Sequence, residues 1–282
     1  TGPDSVAASD RLRRMYSGGR PSASVLARVF AVIVLVMAAL VSSWVGIDAG
    51  QEGRLRVTDA MHPARRLLAA RALATDLVAR QAAPRARVLV VGTGEAYGPQ
   101  PEGTRVREDE PFRPVSPYGL SKAAADAFAD VAHRDWGLDV VRTRSFAHAG
   151  PGQTARFALP SFAQQIAAIE SGIGEPVLRV GNLEVTRDIT DVRDVAEAYA
   201  ALLERGRPGA AYNVCSGRGV RLREVVDALA SRARVKLTVE ADPARVRPAD
   251  VPYLVGDPSA IDKDCGWRAT TPRSAAMLPA RS

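Results

Sequence analysis

Four consecutive apolar residues, Val88-Leu89-Val90-Val91, end at Gly92. A short, β-branched run without polar alternation is the pattern of a strand buried on both faces, as in a parallel sheet. A helix start follows at Ser116-Pro117, because Ser caps free backbone amides and Pro suits the first helical position. Leu120, Phe128, Val131 and the intervening alanines carry that helix to Trp136, and Gly137 supplies a stop. Asp139-Val140-Val141 opens another strand, expected to run to Phe146. Beyond it the spacing predicts a helix over 192–203, a strand over 211–215, and an amphipathic helix marked by Leu222, Val225, Val226 and Leu229. Upstream, residues 65–80 also have helical spacing, broken by Pro84. Strand, helix and strand at these lengths form βαβ units, so the expected fold class is α/β with a doubly wound parallel sheet.

The run VFAVIVLVMAALVSSWVGI, residues 29–47, carries no charge and follows Arg11, Arg13, Arg14, Arg20 and Arg28. Its length approaches that of a bilayer span, and the arginines resemble a cytoplasmic flank. The other reading is a buried strand, a turn near Ser42-Ser43, and the start of a helix. Val32, Ile33 and Val34 favour that soluble arrangement. The expected location is the cytoplasm, with membrane anchoring through Val29 to Ile47 as the alternative.

Composition narrows the partners. The formal charge is +7, yet only three of the 38 basic residues are lysine, Lys122, Lys236 and Lys263. The arginines are scattered and lack interleaved aromatics, so no nucleic-acid partner is expected. Two cysteines, Cys215 and Cys265, make no disulfide framework, and His62, His133 and His148 are far apart. No metal site is expected.

The candidate chemistry centres on Tyr118 and Lys122. Four apart on one helix, they share a face, and an ammonium beside a phenol favours phenolate and fits a Tyr for general acid–base work. Thr93 stands at the carboxyl end of the first strand, where open α/β sheets bind ligands, and Glu95 lies in the same loop. Gly92, Gly94 and Gly98 imitate a dinucleotide fingerprint, but their spacing is wrong for G-x-G-x-x-G.

Thr-x-Glu-x-Tyr-Gly followed by Ser-Pro-Tyr-x-x-Ser-Lys resembles the extended short-chain dehydrogenase/reductases (the NAD-dependent epimerase/dehydratase family). RTRSFAHAGPGQ, GNLEVTRDITDVRDVAEAY, AYNVCSG, RPADVP and GD…GW continue the likeness in order, from about residue 87 to 267. Together they resemble the GDP-4-keto-6-deoxy-mannose reductases, beside the GDP-mannose 4,6-dehydratases. The resemblance implies a Rossmann-like sheet with a smaller substrate-binding domain, NADP or NAD as cofactor, and a nucleotide-diphosphate sugar, GDP-linked by preference, as substrate. It further implies Thr93, Tyr118 and Lys122 as catalytic residues. Gly2, Tyr118, Lys122, Phe146 and His148 would meet the cofactor. Glu95, Gln153, Arg187, Arg247 and Asp250 would meet the substrate. A homodimer through the helix bearing Tyr118 is implied as well.

The likeness has departures. Thr-Gly-Pro-Asp-Ser-Val-Ala-Ala resembles a TGxxGxxG turn in which Ser5 and Ala8 replace glycines, leaving Gly2. An added Cβ at each position crowds the backbone that should approach the cofactor pyrophosphate, so the first βαβ unit is expected to be degraded. Ala147 stands where the family has an asparagine. The expected organisation is a divergent segment 1–53, a cofactor domain 54–150, and a mainly substrate-binding part 151–282 from which 188–215 returns to the sheet. Three functions compete: reduction of the 4-keto group of a GDP-linked 6-deoxy sugar, a 4,6-dehydration or epimerisation, or a catalytically degenerate binding or partner protein.

Overall fold

A computed structural model describes residues 87–246 and 251–271. In chain order its elements are β1 (Val88–Thr93), a 3-10 turn (Gly94–Tyr97), α1 (Pro117–Trp136), β2 (Val140–Ser145) and β3 (Ala147–Ala149). Then come α2 (Ala158–Glu170), β4 (Val177–Val180), β5 (Thr186–Asp191), α3 (Val192–Arg205), β6 (Ala211–Val214) and β7 (Gly219–Arg221). The last are α4 (Leu222–Ala230), β8 (Thr238–Ala241), β9 (Tyr253–Leu254) and α5 (Ser259–Cys265).

The helix signals act where they stand. Ser116 accepts a hydrogen bond from Gly119 N at 3.0 Å, and Pro117 opens α1. Gly137 adopts φ 67°, the left-handed conformation that ends a helix at little steric cost.

Strands β1, β2 and β6 form a sheet in that order, with β2 and β6 parallel. This sequential order is that of one half of a doubly wound sheet. Successive residues of β2 face opposite sides. Val141 packs with Val195, Ala198 and Leu202 of α3 and with Ile261 and Cys265 of α5. Arg142 and Arg144, on the other face, meet Asp126 of α1. Helices therefore cover both faces of a Rossmann-like α/β sheet.

A second sheet joins β3, β5 and β7, and β9 adds to β5. Within it β3 and β9 run parallel to β5, whereas β7 is antiparallel. Strands β4 and β8 form a separate parallel pair. A second apolar cluster, including Phe162, Ile166, Leu178, Val220 and Val226, seats α2 and α4 on these sheets. Of the stretch 188–215, α3 and β6 lie with the first sheet, and β5 belongs to the second.

Among the described residues no helix is long and apolar enough to cross a membrane. The run 29–47 and the turn containing Gly2, Ser5 and Ala8 lie outside the described residues, as do Arg247 and Asp250.

Candidate active site

The carboxyl end of β1 delivers Thr93 into the 3-10 turn. Thr93 is buried, and its hydroxyl caps that turn by accepting from Glu95 N at 3.3 Å. Glu95 itself is exposed. The amino-terminal turn of α1 lies against the same place: a Cβ added at Gly119 would stand 3.0 Å from the Glu95 carbonyl oxygen. Glycine at 119 is what lets the helix approach.

Tyr118 and Lys122 follow from that docking. Lys122 Nζ donates to the Val91 carbonyl at 3.1 Å, which fixes its ammonium beside β1 two residues before Thr93. The same ammonium is 5.8 Å from the centroid of the Tyr118 ring. The phenol ring is half exposed. Thr93, Glu95, Tyr118 and Lys122 are thus gathered at one strand end, the two turns meeting through Gly119.

Phe146 underlies this arrangement. It is buried, and its ring lies 3.1 Å from where a Cβ would stand at Gly94 and 2.7 Å from where one would stand at Gly256. Two glycines therefore grip one aromatic ring. The Phe146 carbonyl lies 3.0 Å from His148 Nδ1, and the His148 carbonyl accepts from Gln153 Nε2 at 3.2 Å. Gln153 Oε1 and the neighbouring strand's Thr190 Oγ1 are buried polar atoms with no hydrogen-bond partner among the described residues. Arg187, on β5, donates to the Thr186 carbonyl at 2.9 Å.

Sequence reasoning missed a buried polar network next to the site. Asp126, two turns beyond Tyr118 on α1, receives Arg144 Nε at 3.0 Å and Arg142 Nη1 at 2.9 Å. The Arg144 guanidinium lies 4.4 Å from the Phe112 ring centroid and 5.2 Å from that of Tyr97, in cation–π range. Tyr97 OH donates to Asn213 Oδ1 at 2.8 Å and accepts from Arg144 Nη1 at 2.8 Å. Burial pushes the Tyr97 phenol far above its ordinary range, although Arg144 opposes the shift. Glu108, whose carboxylate accepts from Asn213 N at 2.7 Å, is also pushed up by burial. The available signal was the alternation Arg-Thr-Arg in β2, which places two cations on one face of a strand otherwise apolar at its start.

No group of His, Cys, Asp and Glu among the described residues could hold a metal ion. The arrangement can instead present a phenol, a neighbouring ammonium and a hydroxyl to a ligand oxygen at the edge of a parallel sheet.

A family model described as GDP-mannose 4,6 dehydratase matches residues 55–276. The chain is 37% identical over 185 residues to a GDP-6-deoxy-D-mannose reductase of Pseudomonas aeruginosa, covering 64% of this chain and 60% of that protein. It therefore spans less than two thirds of that relative's length. The structure of RMD from Pseudomonas aeruginosa complexed with NADPH is similar at a TM-score of 0.69 and 32% identity, covering 80% of this chain and 77% of that one. A dTDP-glucose 4,6-dehydratase from Streptomyces venezuelae, with NAD and TYD bound, is similar at 0.63 and 26% identity, covering 80% and 69%.

Proposed function

The chain belongs to the GDP-mannose 4,6 dehydratase family, and from that premise we propose that it reduces the 4-keto group of a GDP-linked 6-deoxy sugar, using NADPH or NADH. One observation carries the reading: the Tyr118–Lys122 pair is locked to β1 by the Lys122–Val91 hydrogen bond, at the strand end that holds Thr93. The 37% identity to a GDP-6-deoxy-D-mannose reductase supports reduction as the direction of the chemistry.

The cofactor, when bound, supplies a hydride to C4 of the sugar. The residues on its nicotinamide side fit that role: Lys122 is already fixed beside the strand, and the exposed phenol stands on the same helix face. Phe146 and His148 complete this side, and Gly2 would belong to the pyrophosphate turn. As C4 gains the hydride, its oxygen becomes an alkoxide, and Tyr118 transfers its phenolic proton to it. Lys122 stabilises the phenolate that remains, and Thr93 orients the keto oxygen. Arg187 and Arg247 pair with the diphosphate, whose oxygens suit planar guanidinium forks. Asp250 meets the ribose, and Gln153 and Glu95 face the sugar.

A second reading, 4,6-dehydration or epimerisation, is favoured by Glu95. Its exposed carboxylate two residues after Thr93 could take a proton from sugar carbon. A catalytically degenerate partner protein is the third. The reading includes a cytoplasmic location and a homodimer through α1, whose Leu120 and Trp136 expose 59% and 54% of their surface.

The deciding experiment supplies purified full-length chain with GDP-4-keto-6-deoxy-mannose and NADPH and follows nicotinamide absorbance. Turnover that falls by at least about a hundredfold in Tyr118→Phe, the usual worth of a general acid, supports the reductase. Water loss from GDP-mannose with NADP or NAD and no reductase turnover selects the dehydratase. Neither activity, with NADPH still bound, selects the degenerate protein.

A further inference from the structure

Tyr118, Lys122 and Asp126 follow one another at four-residue spacing along α1, so they form a single ridge of the helix. That ridge is tied to the sheet at two points: Lys122 Nζ donates to the Val91 carbonyl of β1, and Asp126 accepts from Arg144 of β2. The second tie is a two-point contact, Nε to Oδ2 at 3.0 Å and Nη2 to Oδ1 at 3.2 Å. The remaining nitrogen of the same guanidinium, Nη1, donates to Tyr97 OH at 2.8 Å and to the Glu108 carbonyl at 2.7 Å. Tyr97 closes the 3-10 turn that Thr93 caps. One buried, planar group therefore joins the ridge bearing Tyr118 to the turn bearing Thr93.

Direct contact between the same pieces does something different. Gly119 against the Glu95 carbonyl, and Gly94 against the Phe146 ring, set how near the turn, the helix and the ring can come. Such contacts resist compression steeply, but the attraction across each atom pair is small. Charge-assisted hydrogen bonds of fixed direction resist separation as well. Arg142 offers the comparison. It leaves the same face of β2 and reaches Asp126 Oδ1 at 2.9 Å, but its other partners are Asp130 and the Gly209 carbonyl. None of these lies in the Thr93 turn.

We propose that Arg144 is a positioning residue: it holds the Thr93 hydroxyl and the Tyr118 phenol at the separation at which both meet one substrate oxygen. This rests on the reading above that the two residues act on the same oxygen. Arg144 works through Asp126 on one side and Tyr97 on the other.

The test uses single turnovers of the full chain with GDP-4-keto-6-deoxy-mannose and NADPH, followed by nicotinamide absorbance, which read the chemical step apart from product release. Arg144→Lys keeps the charge and loses the fork. Its rate at saturating substrate is expected to fall at least about tenfold, as misplacement at a reacting centre does. Half-saturating substrate and NADPH concentrations should stay within about threefold, since the loss falls on the transition state. Arg142→Lys loosens the same carboxylate and should keep its rate within about threefold. Equal rate losses in the two arginine variants mark a structural role for the Asp126 cluster and overturn the proposal. An undiminished rate in Arg144→Lys overturns it too, as does a rate loss matched by weaker binding of both ligands. All three leave the reductase reading standing. If Arg144→Lys fails to fold, Tyr97→Phe decides, since it removes only the hydroxyl that joins Arg144 to the turn. Its rate loss should vanish in a Thr93→Ala background, where no hydroxyl is left to misplace, and additive losses overturn the proposal. Should the unsubstituted chain dehydrate GDP-mannose instead, the same variants are compared in that reaction. A chain with neither activity removes the enzymatic reading and this proposal with it.

Discussion

Replacing Asp126 by Ala should unfold a large part of this protein's margin of stability. Asp126 is buried on α1, and its two oxygens make three contacts with guanidinium nitrogens, at 2.9, 3.0 and 3.2 Å. Removing it leaves Arg144, itself buried, and Arg142, whose side chain is 12% exposed, without their shared counter-charge. Breaking a buried pair by deleting one partner costs about 3–5 kcal/mol, because the remaining charge is desolvated and unpaired. Ala gains roughly 0.5 kcal/mol over Asp in helix propensity, so the net loss is about 3–4 kcal/mol. Against a total of about 5–15 kcal/mol this is substantial. Urea unfolding followed by circular dichroism should show the midpoint falling by roughly 1–4 M at an unchanged slope, for slopes of about 1–3 kcal/mol/M. Asp130→Ala is the control: Asp130 also pairs with Arg142, at 2.8 Å, but its side chain is 34% exposed. A partly exposed pair contributes about 0–1 kcal/mol. Equal losses in the two variants, or a loss below about 1 kcal/mol in Asp126→Ala, would refute the burial argument.

Three further outcomes follow from the geometry. Gly94→Ala places a methyl 3.1 Å from the buried Phe146 ring, so the ring or the Thr93 turn must give by a few tenths of an ångström; with the ring held by Gly256, turnover should fall about tenfold or more, as misplacement at a reacting centre does, and Phe146→Leu should restore part of it, whereas full activity in Gly94→Ala would show that the ring gives. Ser116→Ala removes the cap on Gly119 N and should cost about 1 kcal/mol of stability; no change in the melting temperature would mean the α1 start is held by its contacts alone. Arg193 makes a two-point contact with Asp191 at 2.8 Å and holds that carboxyl below its usual range. A depressed folded value stabilises above the unfolded pKa of about 3.9 and is lost as pH falls through the folded value; Arg193→Ala should therefore lose stability at neutral pH and show a shallower decline below about pH 4, and parallel curves would count against the pair.

The limits of α1 were legible because caps are local: Ser116, Pro117 and Gly137 satisfy or end a helix through neighbours within a turn. The strand at Val88 and the alternation of strand and helix were legible for the same reason, since periodicity reports which faces are buried. Tyr118 and Lys122 could be paired because helical geometry alone sets residues four apart on one face. Nothing local marked Thr186–Asp191, a polar string, as a strand shared with β3, β7 and β9 in a second sheet. Nor could sequence separate Asp188 or Arg144 from surface charges. Asp188 gains its donors from 28 and 68 residues away, and Arg144 meets Asp126 and Tyr97 across 18 and 47. A charge becomes buried only when the chain closes around it with partners in place. The sequence by itself determined the first strand, the limits of α1 and the pairing of Tyr118 with Lys122; the tertiary structure decided the second sheet and which polar residues lie inside, because both depend on partners no local pattern encodes.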